Sequence, residues 1–502
     1  MNIALLVFSI LFAAVTAIGF FASRWRRGDL NQLHEWGLGG RRFGTVIIWF
    51  LLGGDLYTAY TFIAVPALMF GAGAVGFFAV PYTVMVYPLM FVVFPKLWSV
   101  ARAKGYITAA DFVRGRFSSS SLALAVAVTG IAATLPYIAL QLVGMEVVLQ
   151  ALGVRGEVAL VIAFAILAAY TYTSGLRAPA MIAVVKDLLI YVTIFAAIII
   201  IPARIGGYKA IFASIPAQKL LLGHATSHSL GPQVAYATLA LGSALALLLY
   251  PHAMTGVLSS SSAKVIRRNA VALPAYSIAL GLIALLGPMA LAAGVASFPA
   301  YAEGFKQFGA NYAVPALFLH EFPQWFVGIA FAAIAIGALV PAAIMSIACA
   351  NLFTRNIYRE YYKPDCEAAQ ESRIAKIVSL VVKFGALVFV IALPSQYAIQ
   401  LQLLGGILII QTLPAVLLGL YIRWLNPRAL LLGWVVGIGS GITMWAQLGF
   451  SSTTYPLVLF GTTVPCYAAV LSLLLNVAIT VLLSPAFNVP KAGHWDETAQ
   501  VS

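Results

Sequence analysis

An acidic residue inside an apolar stretch of membrane-spanning length is the first candidate for chemistry. Asp55 lies between Gly53 and the hydroxyl side chains of Tyr57, Thr58 and Thr61. Glycine lowers helix propensity, and the carbonyls and helix ends freed where a membrane helix unwinds can bind a cation or an organic anion. The pattern favours a binding site in a discontinuous helix over a packing face built from small residues.

Two charged neighbours, Lys186 and Asp187, lie near the start of another apolar segment. A charge inside a membrane is costly and is therefore a functional candidate. Adjacent residues on a helix point about 100° apart, so at most one of the two should face the centre of a helix bundle squarely. Two interpretations remain: Lys186 faces the interior, or it extends to the lipid headgroups with Asp187 as a local partner.

Three further positions combine polar or backbone chemistry with apolar surroundings. Pro341 cannot donate a backbone hydrogen bond, which frees the carbonyl of Gly337 as a potential ligand unless the proline only kinks the helix. Gln141 is a polar candidate within a long apolar run. His252 follows Pro251 and can change its protonation near neutral pH, although a hydrogen-bonded core histidine is an equal alternative.

The elements that position these residues are membrane helices. The chain has 502 residues, of which 62% are hydrophobic and 9% charged, so lipid must be the solvent for most of it. The net charge of +14 is spread over segment ends and is not gathered with stacking aromatics, which argues against nucleic-acid binding. The three cysteines form no CxxC pair and no phosphate-binding loop is present, which disfavours a zinc site and ATP-driven transport.

The sequence predicts an all-α integral membrane protein with about thirteen transmembrane helices, since each span needs about 20 apolar residues. The predicted spans are 2–22, 44–70, 75–98, 121–150, 157–175, 180–203, 234–257, 270–295, 324–352, 374–393, 398–422, 429–449 and 459–483. They form one transporter domain, 1–486, followed by a polar cytoplasmic tail, 487–502.

Loop charges predict the orientation, because cytoplasmic loops retain Lys and Arg. With the N-terminus outside, five of the 29 basic residues fall on the outer side. These are Arg155, Arg204, Lys209, Lys219 and Lys306. We therefore expect a bacterial inner-membrane protein with a periplasmic N-terminus and a cytoplasmic C-terminus.

Several motifs together resemble the sodium/solute symporter family over nearly the whole chain. They are Gly53-Gly54-Asp55, the segments 106–117, 136–141 and 173–178, Asp187, Pro251-His252 and the segment 354–358. Each motif alone is weak, but their order and spacing are specific. The sequence is most similar to the monocarboxylate permease branch of that family.

The resemblance implies a leucine-transporter-type fold with two inverted five-helix repeats, 44–203 and 234–422. An extra helix, 2–22, precedes them and two helices, 429–483, follow. Each repeat opens with a discontinuous helix, and the substrate would bind between the two breaks. The residues implied as substrate-binding are Tyr57, Thr58, Thr61, Gln141 and His252.

The family's sodium site is altered in this sequence. The resemblance implies carbonyl ligands at Gly53, Leu56 and Gly337. The positions that carry hydroxyl ligands in the family are Val340 and Pro341 here. Neither side chain has an oxygen, so a hard cation loses part of its coordination, and sodium dependence comes into question.

Some proton-coupled relatives of the fold place a lysine from the fifth core helix where sodium would sit, and Lys186 lies on that helix here. We expect Lys186, or failing it Asp187 or Asp55, to be the proton-coupling group, because burial disfavours the charged form of such side chains.

The resemblance implies import of lactate, pyruvate, propionate, acetate or alanine with H+ or Na+, by alternating access. A pantothenate or amino-acid symporter is the alternative within the family, and a sensor or a channel the alternative outside it. We expect no enzyme activity, no cofactor, no nucleic-acid partner and no obligate protein partner.

Overall fold

The computed structural model describes residues 2–25, 28–154, 156–222, 230–392, 398–459 and 461–487. In chain order its α-helices are α1 Ile3–Phe21, α2 Leu33–Leu38, α3 Thr45–Gly54, α4 Val65–Ala72, α5 Ala79–Lys104, α6 Ala109–Phe117, α7 Ser120–Ala151, α8 Gly156–Ser174, α9 Arg177–Ile205, α10 Tyr208–Ser214, α11 Ala217–Leu220, α12 Gly231–Leu249, α13 Pro251–Leu258, α14 Ala263–Ala272, α15 Pro274–Ala284, α16 Leu286–Ala292, α17 Ala302–Phe308, α18 Ala313–Glu321, α19 Gln324–Phe353, α20 Ala368–Ala392, α21 Ala398–Ile409, α22 Leu413–Val416, α23 Pro427–Gln447 and α24 Ala468–Leu483. Two antiparallel strands, β1 Thr454–Leu459 and β2 Thr462–Tyr467, precede α24.

The predicted all-α membrane fold is confirmed. Among the described residues, nine helices are long and apolar enough to cross a membrane. Three shorter apolar helices accompany them, at Thr45–Gly54, Val158–Ser174 and Ala468–Leu483. The count of thirteen spans stays a prediction, as do the repeat boundaries. Of the predicted tail, residues 488–502 lie outside the described part of the chain, as does Arg155.

The start of the last predicted span, 459–483, is wrong. Residues Thr462–Tyr467 form a strand, and the helix begins at Ala468. Thr462, Thr463 and Val464 are β-branched and favour a strand. Pro465 cannot donate a helical hydrogen bond. Apolar composition alone did not reveal this change of structure.

Both predicted helix breaks are present. Helix α3 ends at Gly54, and the chain resumes as a π-helical turn at Tyr60–Ala64 that leads into α4. Helices α12 and α13 are separated at Tyr250, which is extended with ψ 134°. Proline disfavours helical backbone in the residue before it, and Pro251 follows. The sequence at each break therefore explains its backbone.

Helix α19 forms the centre of the bundle, and nearly all of its residues are buried. It packs against α1, α7, α9 and α20. Its interior is rich in alanine, and small side chains let neighbouring backbones approach closely. The centre of the molecule therefore places α9 and the two breaks around α19.

Candidate functional site

Lys186 and Asp187 are both fully buried on α9. The Lys186 ammonium donates to the carbonyl of Gly54 and, at 3.1 Å, to that of Tyr57. It lies 3.0 Å from Asp187 Oδ1, while Asp187 Oδ2 accepts from the Tyr276 hydroxyl at 2.7 Å. The headgroup interpretation of Lys186 is wrong, because its side chain is fully buried and its ammonium donates to backbone carbonyls. The partners of the two side chains come from the end of α3, the segment after it and α15.

The carbonyls that accept from Lys186 differ by one residue from those implied by the resemblance. The Gly53 carbonyl accepts from the Leu56 amide at 2.9 Å, so it completes a turn of backbone. The carbonyls of Gly54 and Tyr57 remain for the ammonium. Unwinding after Gly54 therefore creates the acceptor pair.

Helix α19 passes directly beside this ammonium. A Cβ atom on Gly337 would lie 3.6 Å from the carbonyl oxygen of Tyr57. Val340 and Pro341 are buried one turn further along and have no side-chain oxygen to offer. Of the three α19 positions implied as ion-coupling, Gly337 therefore lies next to a carbonyl that accepts from Lys186.

Three of the predicted substrate-binding side chains stabilise the unwound backbone. Gln141 Oε1 accepts from the Ala59 amide at 3.0 Å. Thr58 Oγ1 accepts from the Tyr60 amide at 3.0 Å, and Thr61 Oγ1 accepts from the Thr58 amide at 2.9 Å. Buried backbone groups need such partners where a helix is interrupted. These hydrogen bonds stabilise the conformation of the unwound segment.

A second cluster joins the two breaks, and we call it the histidine cluster: Asp55, Tyr60, Tyr137, Tyr250 and His252. The His252 Nε2 atom lies 3.3 Å from Asp55 Oδ2. The rings of Tyr250 and Tyr137 lie 5.1 and 5.4 Å from the imidazole ring. Both imidazole nitrogens, Asp55 Oδ1 and the Tyr60 hydroxyl are buried without a hydrogen-bond partner.

Unpaired buried polar atoms are rare and call for an explanation. Four such atoms in the histidine cluster suit a small polar solute that can both donate and accept hydrogen bonds. A protonated His252 would also supply a cation for a carboxylate. The fifth predicted substrate residue, Tyr57, instead donates its hydroxyl to the Tyr276 carbonyl at 3.1 Å. Its own carbonyl accepts from Lys186.

A small cavity lies beside the second break. Its volume is about 20 Å³, which is room for about one water molecule. It is lined by Pro251 and Thr255 of α13 and reaches Thr108 at the start of α6.

Sequence analysis overlooked a further buried charge, Lys383 of α20. Its side chain is 1% exposed, and Nζ donates to Ser379 Oγ at 2.7 Å, which in turn donates to Ser346 of α19 at 3.3 Å. A lone lysine near the middle of the predicted span 374–393 was the available signal.

Two motifs of the resemblance meet at the end of the bundle that the loop charges assign to the cytoplasm. Thr108 Oγ1 donates to Asn356 Oδ1 at 2.7 Å, and Asn356 Nδ2 donates to Asp111 Oδ1 at 2.8 Å. Thr108 also caps α6. These motifs therefore fasten α6 to the end of α19 and have a structural role.

Comparisons with known proteins cover most of the chain. Residues 36–437 match the family model described as the sodium:solute symporter family. A monocarboxylate transport permease protein of Rhizobium johnstonii is 54% identical over 483 residues, covering 96% of both chains. The uncharacterized symporter YodF of Bacillus subtilis is 34% identical and covers 87% of this chain and 86% of its own.

The fold also matches a solved structure. A Na+-coupled sialic acid symporter in a substrate-bound outward-open state superposes with a TM-score of 0.77. The match covers 98% of this chain and 99% of the other at 17% identity, so it bears on the fold alone. The expected leucine-transporter-type fold is confirmed.

Proposed function

Because the chain belongs to the sodium:solute symporter family, we propose that it imports a short monocarboxylate together with a proton. Lactate, pyruvate, propionate and acetate are the candidate substrates, and alanine is a further one. The substrate class is supported by the name of the Rhizobium relative, a monocarboxylate transport permease protein. We assign the protein to the bacterial inner membrane as a multi-pass transporter.

One observation carries the proton assignment: the Lys186 ammonium occupies the acceptor pair formed by Gly54 and Tyr57. Carbonyl oxygens are ligands for a hard cation such as sodium, and the ammonium takes up the carbonyls one residue after the two that the resemblance implies as sodium ligands. Neighbouring Val340 and Pro341 lack side-chain oxygens that would favour sodium. The amine can instead take up and release a proton.

Proton transfer at Lys186 would change the stability of the break. The charged amine holds Gly54, Tyr57 and Asp187 together. A neutral amine attracts both carbonyls and the carboxylate less strongly, because charge-assisted hydrogen bonds are roughly twice as strong as neutral ones. Loss of the proton therefore loosens α9 from the end of α3, which is the coupling that alternating access requires.

The substrate carboxylate would bind in the histidine cluster. His252 in its protonated form can pair with the anion, while Asp55 can accept from the hydroxyl of lactate. Entry of one carboxylate with one proton leaves the net charge of the buried site unchanged. This balance avoids the large cost of adding an uncompensated charge to a low-dielectric interior.

The first experiment is uptake of labelled lactate into proteoliposomes under an imposed pH gradient or an imposed sodium gradient, each with the other held flat. We expect accumulation with the pH gradient alone. Lys186→Ala should lose proton-driven accumulation. Lys383→Met, which alters another buried lysine, serves as the matched control and should retain it.

Accumulation driven only by sodium would contradict proton coupling and direct attention to Asp187 and Asp55. Full proton-driven uptake by Lys186→Ala across the pH range would exclude Lys186 as the coupling group. If lactate does not accumulate under either gradient, uptake of labelled pantothenate or amino acids into the same proteoliposomes tests the alternative within the family.

A further inference from the structure

A polar pocket lies at the end of α5. Its volume is about 410 Å³. Its lining includes Gln32, Arg41, Arg102, Gly105, Ile107 and Arg355. Three of the eleven lining residues are arginines and one, Glu371, is acidic, so the lining carries an excess of positive charge.

Arg41 is held in this pocket by an unusual backbone. Its φ is +55°, in the left-handed region that costs energy for residues other than glycine. The side chain is only 7% exposed. Its Nη2 donates to the Tyr106 carbonyl, while Nη1 is buried without a partner. A buried donor left unpaired costs about 1–3 kcal/mol.

Arg102 adds a second positive charge to the same pocket. It lies in the last turn of α5, with its guanidinium 5.8 Å from the Trp98 ring. Burial and the nearby charge of Arg102 lower the pKa of Arg41 to about 10, against a smaller opposing effect of Asp111. The two guanidinium groups therefore repel each other.

The acids near the pocket are occupied by other partners. Asp111 accepts from the amides of Ile107 and Thr108 and contacts Arg355 at 3.5 Å. Glu371, which lines the pocket, accepts from Arg355 at 3.1 Å. Neither acid accepts a hydrogen bond from Arg41 Nη1. The pocket thus retains positive charge after its internal ion pairs are formed.

We propose that this pocket binds a phosphate-type oxyanion between Arg41 and Arg102. Guanidinium groups bind phosphate through parallel, charge-assisted hydrogen bonds. The anion would satisfy Arg41 Nη1 and relieve the repulsion between the arginines. It would also tie the segment that leads into α3 at Thr45 to the end of α5. The ligand is either the phosphate of an anionic lipid headgroup or a free phosphate.

The test measures binding to the purified full-length protein and is independent of which solute is transported. Inorganic phosphate is titrated calorimetrically against protein in phosphatidylcholine nanodiscs. Retained phosphatidylglycerol is counted by native mass spectrometry after exchange into neutral detergent. Arg102→Gln alters an exposed residue, and Arg41→Gln removes the buried guanidinium. Arg268→Gln, an exposed arginine of α14 outside this pocket, is the matched control.

We expect wild type and Arg268→Gln to bind one of the two probes equally. Binding by Arg102→Gln should be about tenfold weaker, the effect of losing a charge-assisted hydrogen bond, and Arg41→Gln should bind less still. Binding of phosphate identifies a free anion, and retention of phosphatidylglycerol identifies a lipid. The proposal is overturned if wild type binds neither probe, or if Arg268→Gln weakens binding as much as Arg102→Gln does.

Discussion

Two buried lysines in this molecule have very different surroundings. Lys186 has a carboxylate and two carbonyls within hydrogen-bond distance. Lys383 donates to one serine hydroxyl. A buried charge is tolerated when it is paired and hydrogen-bonded. Replacing the two lysines should therefore change the free energy of unfolding differently.

At the residue scale we predict opposite effects for two equivalent substitutions. Lys186→Met leaves Asp187 without its cation and should lower the free energy of unfolding by about 3–5 kcal/mol. Lys383→Met removes a poorly compensated ammonium and should leave stability unchanged or higher. Thermal unfolding in detergent measures both. Equal stability of the two variants would mean that the Lys186–Asp187 pair does not form in the protein.

The first break is maintained by the element packed against it, α7. Gln141 of α7 accepts from the Ala59 amide, and Gly144 lies one turn away. A Cβ atom on Gly144 would come within 2.2 Å of the Ala59 Cβ. The close approach of α7 to the unwound segment therefore requires a glycine at this position.

At the element scale we predict that Gly144→Ala is destabilising. The added methyl should cost about 1–3 kcal/mol because α7 must move away from Ala59. Gly439→Ala in α23 is the matched control, since nothing lies within 4 Å of its Cβ position. There alanine should gain about 0.5–1 kcal/mol from helix propensity. Similar unfolding temperatures for the two variants would contradict the close packing.

The predicted orientation depends on loop charges, since only five of the 29 basic residues fall on the predicted outer side. Lys104 and Lys306 are both exposed but fall on opposite predicted sides. The three native cysteines are buried, so they should give little background with a membrane-impermeant maleimide.

At the molecular scale we predict that Lys306→Cys is labelled in intact cells, whereas Lys104→Cys is labelled only after permeabilisation. The reason is the retention of Lys and Arg on the cytoplasmic side. The unsubstituted chain is the control for background labelling. The reverse pattern would invert the orientation and every assignment to an inner or outer face.

The sequence by itself determined that lipid surrounds most of the chain, that the fold is helical, and where the first helix break lies. These follow from composition over windows of about 20 residues and from the local pattern at Gly53 and Gly54. The second break, before Pro251, followed from the family resemblance. Local patterns failed at Thr462–Tyr467, where β-branched residues form a strand inside a predicted helix.

Only the tertiary structure decided which polar groups meet. It buried both Lys186 and Asp187, where the sequence had left open whether Lys186 extends to the lipid headgroups. It turned Thr58, Thr61 and Gln141 toward the unwound backbone, and brought His252 to Asp55. The physical reason is that which groups surround a buried side chain depends on how helices distant in sequence pack against it.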